Sequence, residues 1–171
     1  KYYGLADVDD AIEHPDKARM FVNECPLPPS EKVVEAITQA ARNGNRYPGS
    51  NRQLRERIGK LNGVGPEQVL VVGGSSEIID MAMRVFLQPG DEVIIPDPGF
   101  SMYEIRATVV GGKPVLIDTK PPDLTYDTDA MLAAVNERTK LIVVCNPNNP
   151  TGNFIDEGEL KRIVETGIPI F

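Results

Sequence analysis

A turn rich in glycine and serine at residues 73–77 has the composition of an anion-binding site. It reads Gly73-Gly74-Ser75-Ser76-Glu77 and lies between an apolar run, 69–72, and a predicted helix. Glycines let the backbone approach an anion closely, serines add hydroxyl donors, and the positive end of a helix dipole favours negative charge. Phosphate is the natural ligand, although N-capping of the helix by Ser75 or Ser76 explains the same residues.

A second turn follows the apolar run 141–145 and reads Asn146-Pro147-Asn148-Asn149-Pro150-Thr151-Gly152. Its two prolines restrict the backbone, so the amide side chains are held in place with little further loss of entropy. Rigid asparagines are suited to orienting a polar ring. An ordinary turn without a ligand remains the alternative.

The elements around these turns alternate between β-branched apolar runs and amphipathic stretches. The pattern predicts strands at 69–72, 93–95, 115–117 and 141–145, with another opening at Ile168, and helices at 76–87, 100–110, 129–136 and 156–166. Apolar strands separated by helices indicate a mostly parallel sheet covered on both faces. The predicted fold class is α/β with three layers, αβα, and its ligands should collect at the carboxyl ends of the strands.

The first part of the chain is organised differently. Residues 1–29 carry little periodicity and end in a proline-rich segment, 25–29, which favours an extended arm. Ser30 is a candidate N-cap for a helix at 31–43, and a second helix is predicted from about Ser50.

Composition excludes some classes of function. The net charge of −7 at pH 7 would repel a phosphate backbone, so nucleic-acid binding is not expected. No apolar run is long enough to span a membrane, and a cytoplasmic location is expected. Cys25 and Cys145 lack metal-ligand spacing and are expected to be free thiols, buried or half-buried, with no metal site. The chain also ends inside an apparent buried strand, 167–171, which suggests a divided or truncated chain.

Several strings, taken in order, resemble the fold-type-I enzymes that depend on pyridoxal 5'-phosphate (PLP), specifically the branch similar to histidinol-phosphate aminotransferases. The matching strings cover nearly the whole chain: Asn23-Glu24, Arg46-Tyr47-Pro48, Gly74-Ser75-Ser76-Glu77, Pro89-Gly90-Asp91-Glu92-Val93, Pro96-Asp97-Pro98 with Phe100 and Tyr103, and Asn146 to Gly152. The resemblance implies an N-terminal arm and small-domain helix at 1–45, and the first part of a PLP-binding large domain at 46–171.

The resemblance also implies roles for individual residues. Gly74, Ser75 and Ser76 would hold the PLP phosphate, Phe100 would stack on the pyridine ring, and Asn149 would donate to the phenolic oxygen. Tyr47 would reach the phosphate of a neighbouring subunit, which implies a homodimer. Considered alone, Phe100 is more often a core residue and Tyr47 more often a surface aromatic.

Two departures from the family pattern are informative. The family's Schiff-base lysine, its pyridinium-binding aspartate and its carboxylate-binding arginine have no counterpart here, so the catalytic lysine is expected after Phe171 and the chain alone should not transaminate. Leu27 replaces a substrate-side tyrosine of the histidinol-phosphate enzymes, which puts an imidazole substrate in doubt.

The predicted function is PLP-dependent transfer of an amino group between an amino acid and a 2-oxo acid, in amino-acid biosynthesis. Three alternatives stay open: a PLP-dependent decarboxylase or lyase of the same fold, a non-catalytic relative that keeps the PLP fold, and a nucleotide-binding module. The last lacks both a Walker lysine and a dinucleotide fingerprint.

Overall fold

The computed structural model describes residues 5–20 and 23–171. The chain divides into two compact units, Lys1–Val71 and Val72–Phe171. The domain boundary expected at residue 45 belongs to the implied family architecture and stays a prediction.

The N-terminal unit is helical. Its elements are α1 (Leu5–Glu13), α2 (Glu31–Ala41), α3 (Arg52–Asn62) and a 3-10 helix (Pro66–Gln68). Helix α1 lies in the part of the chain where little periodicity was expected, and that expectation is wrong at 5–13, where apolar residues at positions 5, 8 and 12 follow helical spacing. Ser30 does occupy the N-cap of α2, but its hydroxyl makes no capping hydrogen bond.

Side chains in the N-terminal unit are mostly exposed. None of the residues of α2 is buried, and Gly59 is the one buried residue of α3. Cys25 is an exposed free thiol, so the expectation of a buried or half-buried thiol is wrong there and right for Cys145. The proline-rich segment around Cys25 contributes no buried residue that could cover it.

The C-terminal unit has the predicted α/β order. Its elements are α4 (Ser75–Phe86), β1 (Glu92–Asp97), α5 (Met102–Val109), β2 (Lys113–Asp118), α6 (Thr128–Ala133), β3 (Thr139–Ile142) and α7 (Glu157–Val164). The three strands are parallel in the order β2-β1-β3, and Ile142 forms a further parallel bridge with Ile170, where another strand was predicted to open.

Successive residues of the strands face two separate cores. Val93 and Ile95 of β1 contact a cluster built with α4 and α5, whereas Ile94 between them contacts a cluster built with α6 and α7. Leu141 and Ile142 of β3 divide in the same way. Helices therefore cover both faces of the sheet, which confirms the three-layer α/β prediction.

The strand predicted at 69–72 is wrong. Val69 is extended (φ −109°, ψ 120°), but no backbone hydrogen bond joins 70–72 to a neighbouring strand among the described residues, and Leu70 is 59% exposed. An apolar, β-branched run favours extended backbone, but a strand also needs a partner with which to form a ladder.

A carboxylate secures the amino edge of the sheet. Glu92 at the start of β1 accepts hydrogen bonds from Asn136 Nδ2 at 2.7 Å and Arg138 Nε at 2.8 Å. The bond from Asn136, and then that from Arg138, lowers the pKa of Glu92 below its ordinary value. This cluster ties the segment before β3 to β1.

None of the described helices is both long and apolar enough to cross a membrane.

Candidate functional site

Three turns lie at the carboxyl edge of the sheet. Since β1 and β3 are parallel, the turns that follow them, 98–101 and 146–152, emerge at the same edge. Helix α4 packs on this sheet, and a short connection, 87–91, reverses the chain into β1. The first turn of α4 therefore lies on the side where β1 ends, as in other open α/β sheets that bind ligands at this edge.

The glycine-serine turn leaves the start of α4 open. Gly74 is the N-cap, with φ +126° and ψ 169°, and a Cβ atom there would meet nothing within 4 Å. Only glycine adopts such a backbone easily. The alternative that Ser75 or Ser76 caps the helix is wrong, because both serines lie inside α4 and no side chain makes a capping bond. The Glu77 carboxylate instead accepts a hydrogen bond from Gly73 N and closes the turn.

The turn after β1 presents an aromatic ring. Phe100 is half-buried and contacts the ring of Tyr103 edge-on, with centroids 5.8 Å apart and planes at 89°. Tyr103 in turn contacts Phe171 at 6.1 Å and 69°. Gly99 is required sterically, since a Cβ atom would lie 2.4 Å from the Pro96 carbonyl oxygen. Phe100 thus packs against the core on one side and stays partly accessible.

The asparagine turn contains two neighbouring amides with opposite environments. Asn148 is buried, 3% exposed, and its Nδ2 donates to the Pro98 carbonyl and to Thr151 Oγ1, both at 3.0 Å. Asn149 is half-buried, and its amide makes no hydrogen bond to another described residue. The structure therefore brings the turns after β1 and β3 into direct contact through Asn148.

A buried tyrosine supports the asparagine turn. Tyr126 OH donates to the Cys145 carbonyl at 2.6 Å and lies 3.5 Å from Asn148 Oδ1. Burial raises the pKa of Tyr126 to about 12, so the phenol stays neutral and keeps its proton for donation. The sequence does not identify Tyr126 or Asn148 as site residues. Asn148 lies inside the asparagine turn beside an identical residue, and no motif surrounds Tyr126.

The predicted site residues are distributed over both units. The C-terminal unit contains five of them at the carboxyl edge of its sheet: Gly74, Ser75 and Ser76 at the start of α4, and Phe100 and Asn149 in the turns after β1 and β3. Tyr47 belongs to the N-terminal unit, where it is fully exposed. The proximity of Ser76 to Asn149, and the ligand roles of all six residues, stay predictions.

The fold is an open α/β sheet, a class of fold in which ligands bind at the carboxyl edge, and here that edge carries a glycine-serine helix start, an aromatic ring and an amide without a described hydrogen-bond partner. The family model for class I and II aminotransferases matches residues 15–171. The chain belongs to that family, and the resemblance predicted from the sequence is confirmed.

Relatives and solved structures agree with this assignment. A histidinol-phosphate aminotransferase from Ruegeria pomeroyi is 42% identical over 167 residues, which are 97% of this chain and 45% of the relative. The structure of an alanine aminotransferase from Pyrococcus furiosus is similar with a TM-score of 0.76 and 30% identity, over 99% of this chain and 49% of the other. A histidinol-phosphate aminotransferase from Sinorhizobium meliloti, solved with PLP, shares the fold with a TM-score of 0.82 at 23% identity, over 99% of this chain and 46% of its own. The chain thus spans about half the length of the proteins it matches.

Proposed function

We propose that this chain is the part of a PLP-dependent aminotransferase that holds most of the cofactor. The observation that carries the proposal is the contact between the turns after β1 and β3 at one sheet edge, on the side where α4 begins, in a chain of the aminotransferase family. This edge offers the uncapped start of α4 at Gly74, the partly accessible ring of Phe100, and the Asn149 amide, which has no hydrogen-bond partner among the described residues.

The residues present fit PLP. Gly74, with its φ of +126° and the open space beside it, lets a phosphate approach the first N–H groups of α4, and Ser75 and Ser76 add hydroxyl donors. Phe100 would stack on the ring, which contributes about 0.5 to 1.5 kcal/mol beyond burial. Asn149 would donate its amide to the phenolic oxygen. When bound, PLP supplies an electron sink for a carbanion at the substrate's alpha carbon.

Cofactor binding tests the proposal directly. Equilibrium dialysis of the full-length protein against PLP should show binding, and Ser76→Ala should weaken it about tenfold, because a hydrogen bond to a charged group contributes about 1.5 to 3 kcal/mol. Ser30→Ala is the matched control, since that hydroxyl makes no capping bond. Preference for ATP over PLP would favour a nucleotide-binding module and contradict the proposal.

The reaction is proposed to be transfer of an amino group from an amino acid to a 2-oxo acid, in the cytoplasm and in amino-acid biosynthesis. Support comes from the family and from relatives with this activity in their names. The full-length protein incubated with amino acids should yield the corresponding 2-oxo acids. Release of carbon dioxide without a 2-oxo acid would identify a decarboxylase and contradict transamination.

The amino donor is proposed to be histidinol phosphate or a related phosphorylated amine. The name of the Ruegeria relative supports this choice, whereas Leu27 departs from the pattern at a substrate-side position. A comparison of kcat/KM for histidinol phosphate with that for phenylalanine and alanine decides it. Equal values for the three donors would contradict the proposed substrate.

A homodimer with shared sites is the last element of the proposal, with Tyr47 reaching the phosphate held by the partner subunit. The fully exposed Tyr47 is available for such a contact. Sedimentation should give a dimer, and Tyr47→Phe should weaken PLP binding without changing the sedimentation coefficient. The proposed homodimer would be contradicted if the protein sedimented as a monomer, or if Tyr47→Phe bound PLP as tightly as the unaltered protein.

A further inference from the structure

The two neighbouring asparagines, Asn148 and Asn149, differ in burial and in hydrogen bonding. Asn148 is almost completely buried and its Nδ2 has two acceptors, the Pro98 carbonyl and Thr151 Oγ1. Asn149 is half-buried with no described hydrogen-bond partner for its amide. Buried amides are nearly always hydrogen-bonded. The Asn148 amide has its partners within the protein, whereas the Asn149 amide is available to bond a ligand.

The backbone of Asn148 also closes the turn on itself. Its N–H donates to the Asn153 carbonyl at 2.8 Å, and its carbonyl accepts from Gly152 N at 2.7 Å. The position of Asn149 is therefore set by the residue before it, because Asn148 is held through both its backbone and its side chain.

The same side chain reaches a different turn, the one that carries Phe100. The Pro98 carbonyl stands two residues before Phe100, and the bond from Asn148 Nδ2 joins positions 50 residues apart in sequence. Movement of Asn148 would therefore displace the amide at 149 and the ring at 100 together.

The Pro98 carbonyl fixes which way the Asn148 amide points. A carbonyl can only accept, so the side-chain atom that faces it is the donor Nδ2. Tyr126 lies 3.5 Å from the other atom, Oδ1, and gives its one proton to the Cys145 carbonyl.

We propose that Asn148 is a positioning residue for cofactor binding, which couples the Asn149 amide to the Phe100 ring through its bonds to Pro98 and Thr151. The inference rests on the proposed function, in which Asn149 and Phe100 contact PLP. Asn148 itself would not contact PLP, but it would control how well Asn149 and Phe100 contact it.

The test is a double-mutant cycle on PLP affinity in the full-length protein. Asn149→Ala should weaken binding about tenfold, the loss of one hydrogen bond, and Asn148→Ala should weaken it about 30-fold, because it also loosens the turn of Phe100. The variant with both changes should bind no more than about twofold more weakly than Asn148→Ala alone, since residues that act as a unit are not additive.

Asn153→Ala is the matched control. Asn153 lies in the same segment and its Nδ2 donates to the carbonyls of Asp123 and Leu124, away from the turn of Phe100. It should lower the Tm comparably to Asn148→Ala but leave PLP affinity within about twofold, because it removes no contact to Pro98. The visible circular dichroism of bound PLP, which reports ring orientation, should change in Asn148→Ala and not in Asn153→Ala.

Thr151→Val, which leaves the bond from Asn148 to Pro98 in place, guards against a variant that fails to fold, and Asn148→Asp tests the donor itself. It keeps the size and Oδ1 but turns the donor that faces Pro98 into an acceptor, and it should weaken PLP binding at least as much as Asn148→Ala. Thr151→Val removes one of the two acceptors and should have a smaller effect.

The outcomes separate the two proposals. If the unaltered protein binds PLP but the losses at 148 and 149 multiply independently, or if Asn148→Ala behaves as Asn153→Ala does, Asn148 is not a positioning residue. If the unaltered protein does not bind PLP, the proposed function fails and this inference fails with it.

Discussion

The two units of this chain use the same kind of amphipathic helix with opposite results. In the C-terminal unit, helices on both faces of the sheet bury apolar side chains in two clusters. In the N-terminal unit, α2 has apolar residues at helical spacing and buries none of them. An amphipathic pattern thus specifies a helix locally, but its stabilisation comes from what covers the apolar face.

The largest expected effect comes from truncating one leucine in each unit. Leu141→Ala, at a fully buried position of β3, should lower the free energy of unfolding by about 2 to 5 kcal/mol, because it removes buried surface and leaves a cavity. Leu61→Ala in α3, 85% exposed, should change it by less than about 0.5 kcal/mol. Urea unfolding measures both, and similar losses would show that the apolar face of α3 is covered in solution.

A smaller effect is expected from a single buried hydroxyl. Tyr126→Phe leaves the Cys145 carbonyl without its donor and should lower the free energy of unfolding by about 1 to 3 kcal/mol. Tyr47→Phe is the matched change at a fully exposed tyrosine of the other unit and, in protein freed of PLP, should have no measurable effect on stability. Thermal unfolding of the two variants provides the comparison; an unchanged Tm for Tyr126→Phe would remove Tyr126 from the support of the asparagine turn.

Helix caps should differ between the units as well. The Asp156 side chain accepts a hydrogen bond from Gly158 N at the start of α7, so Asp156→Ala should lower the free energy of unfolding by about 1 kcal/mol. Ser30→Ala in the N-terminal unit should cost less than about 0.5 kcal/mol, because the serine makes no capping bond. Circular dichroism during urea unfolding measures both, and an equal cost would mean that Ser30 caps α2 in solution.

The smallest effect is a change in how stability depends on pH. The pKa of Glu92 is lower in the folded protein than its ordinary value of 4.5. Its stabilising contribution is therefore complete above that value and is lost as pH falls through the folded pKa. Arg138 is 63% exposed, so water screens the pair and the contribution is modest.

Glu92→Gln should accordingly flatten the decline in unfolding free energy below pH 4.5, measured by urea unfolding at a series of pH values. Glu56→Gln is the control in the N-terminal unit, where Glu56 pairs with Arg52 at the surface. A decline as steep in Glu92→Gln as in the unaltered protein would show that Glu92 does not contribute to it.

The C-terminal unit was largely predictable from sequence. Its four helices and three strands appear close to the predicted positions, because continuous apolar strands between amphipathic helices report burial on both faces of a sheet. The segment 69–72 has the same apolar composition but no ladder, since strand pairing depends on residues distant in sequence that composition does not reveal.

The site was predictable only to the level of its turns. The sequence indicated the turns 73–77 and 146–152, whose contact with each other stays a prediction, but not that Gly74 rather than a serine would be the N-cap. It also could not distinguish the buried Asn148 from its identical neighbour, because the difference depends on Pro98 and Tyr126, which pack there only in the folded chain.

The edge-to-face contacts of Phe100, Tyr103 and Phe171 have a consequence for any ligand at this edge. The Tyr103 ring, itself in contact with Phe171, packs against Phe100 and restricts its rotation, so part of the entropy that a mobile phenylalanine would lose on binding is already lost when the chain folds. A flat ligand would meet a surface that needs no rearrangement, and more of the contact energy would appear as affinity.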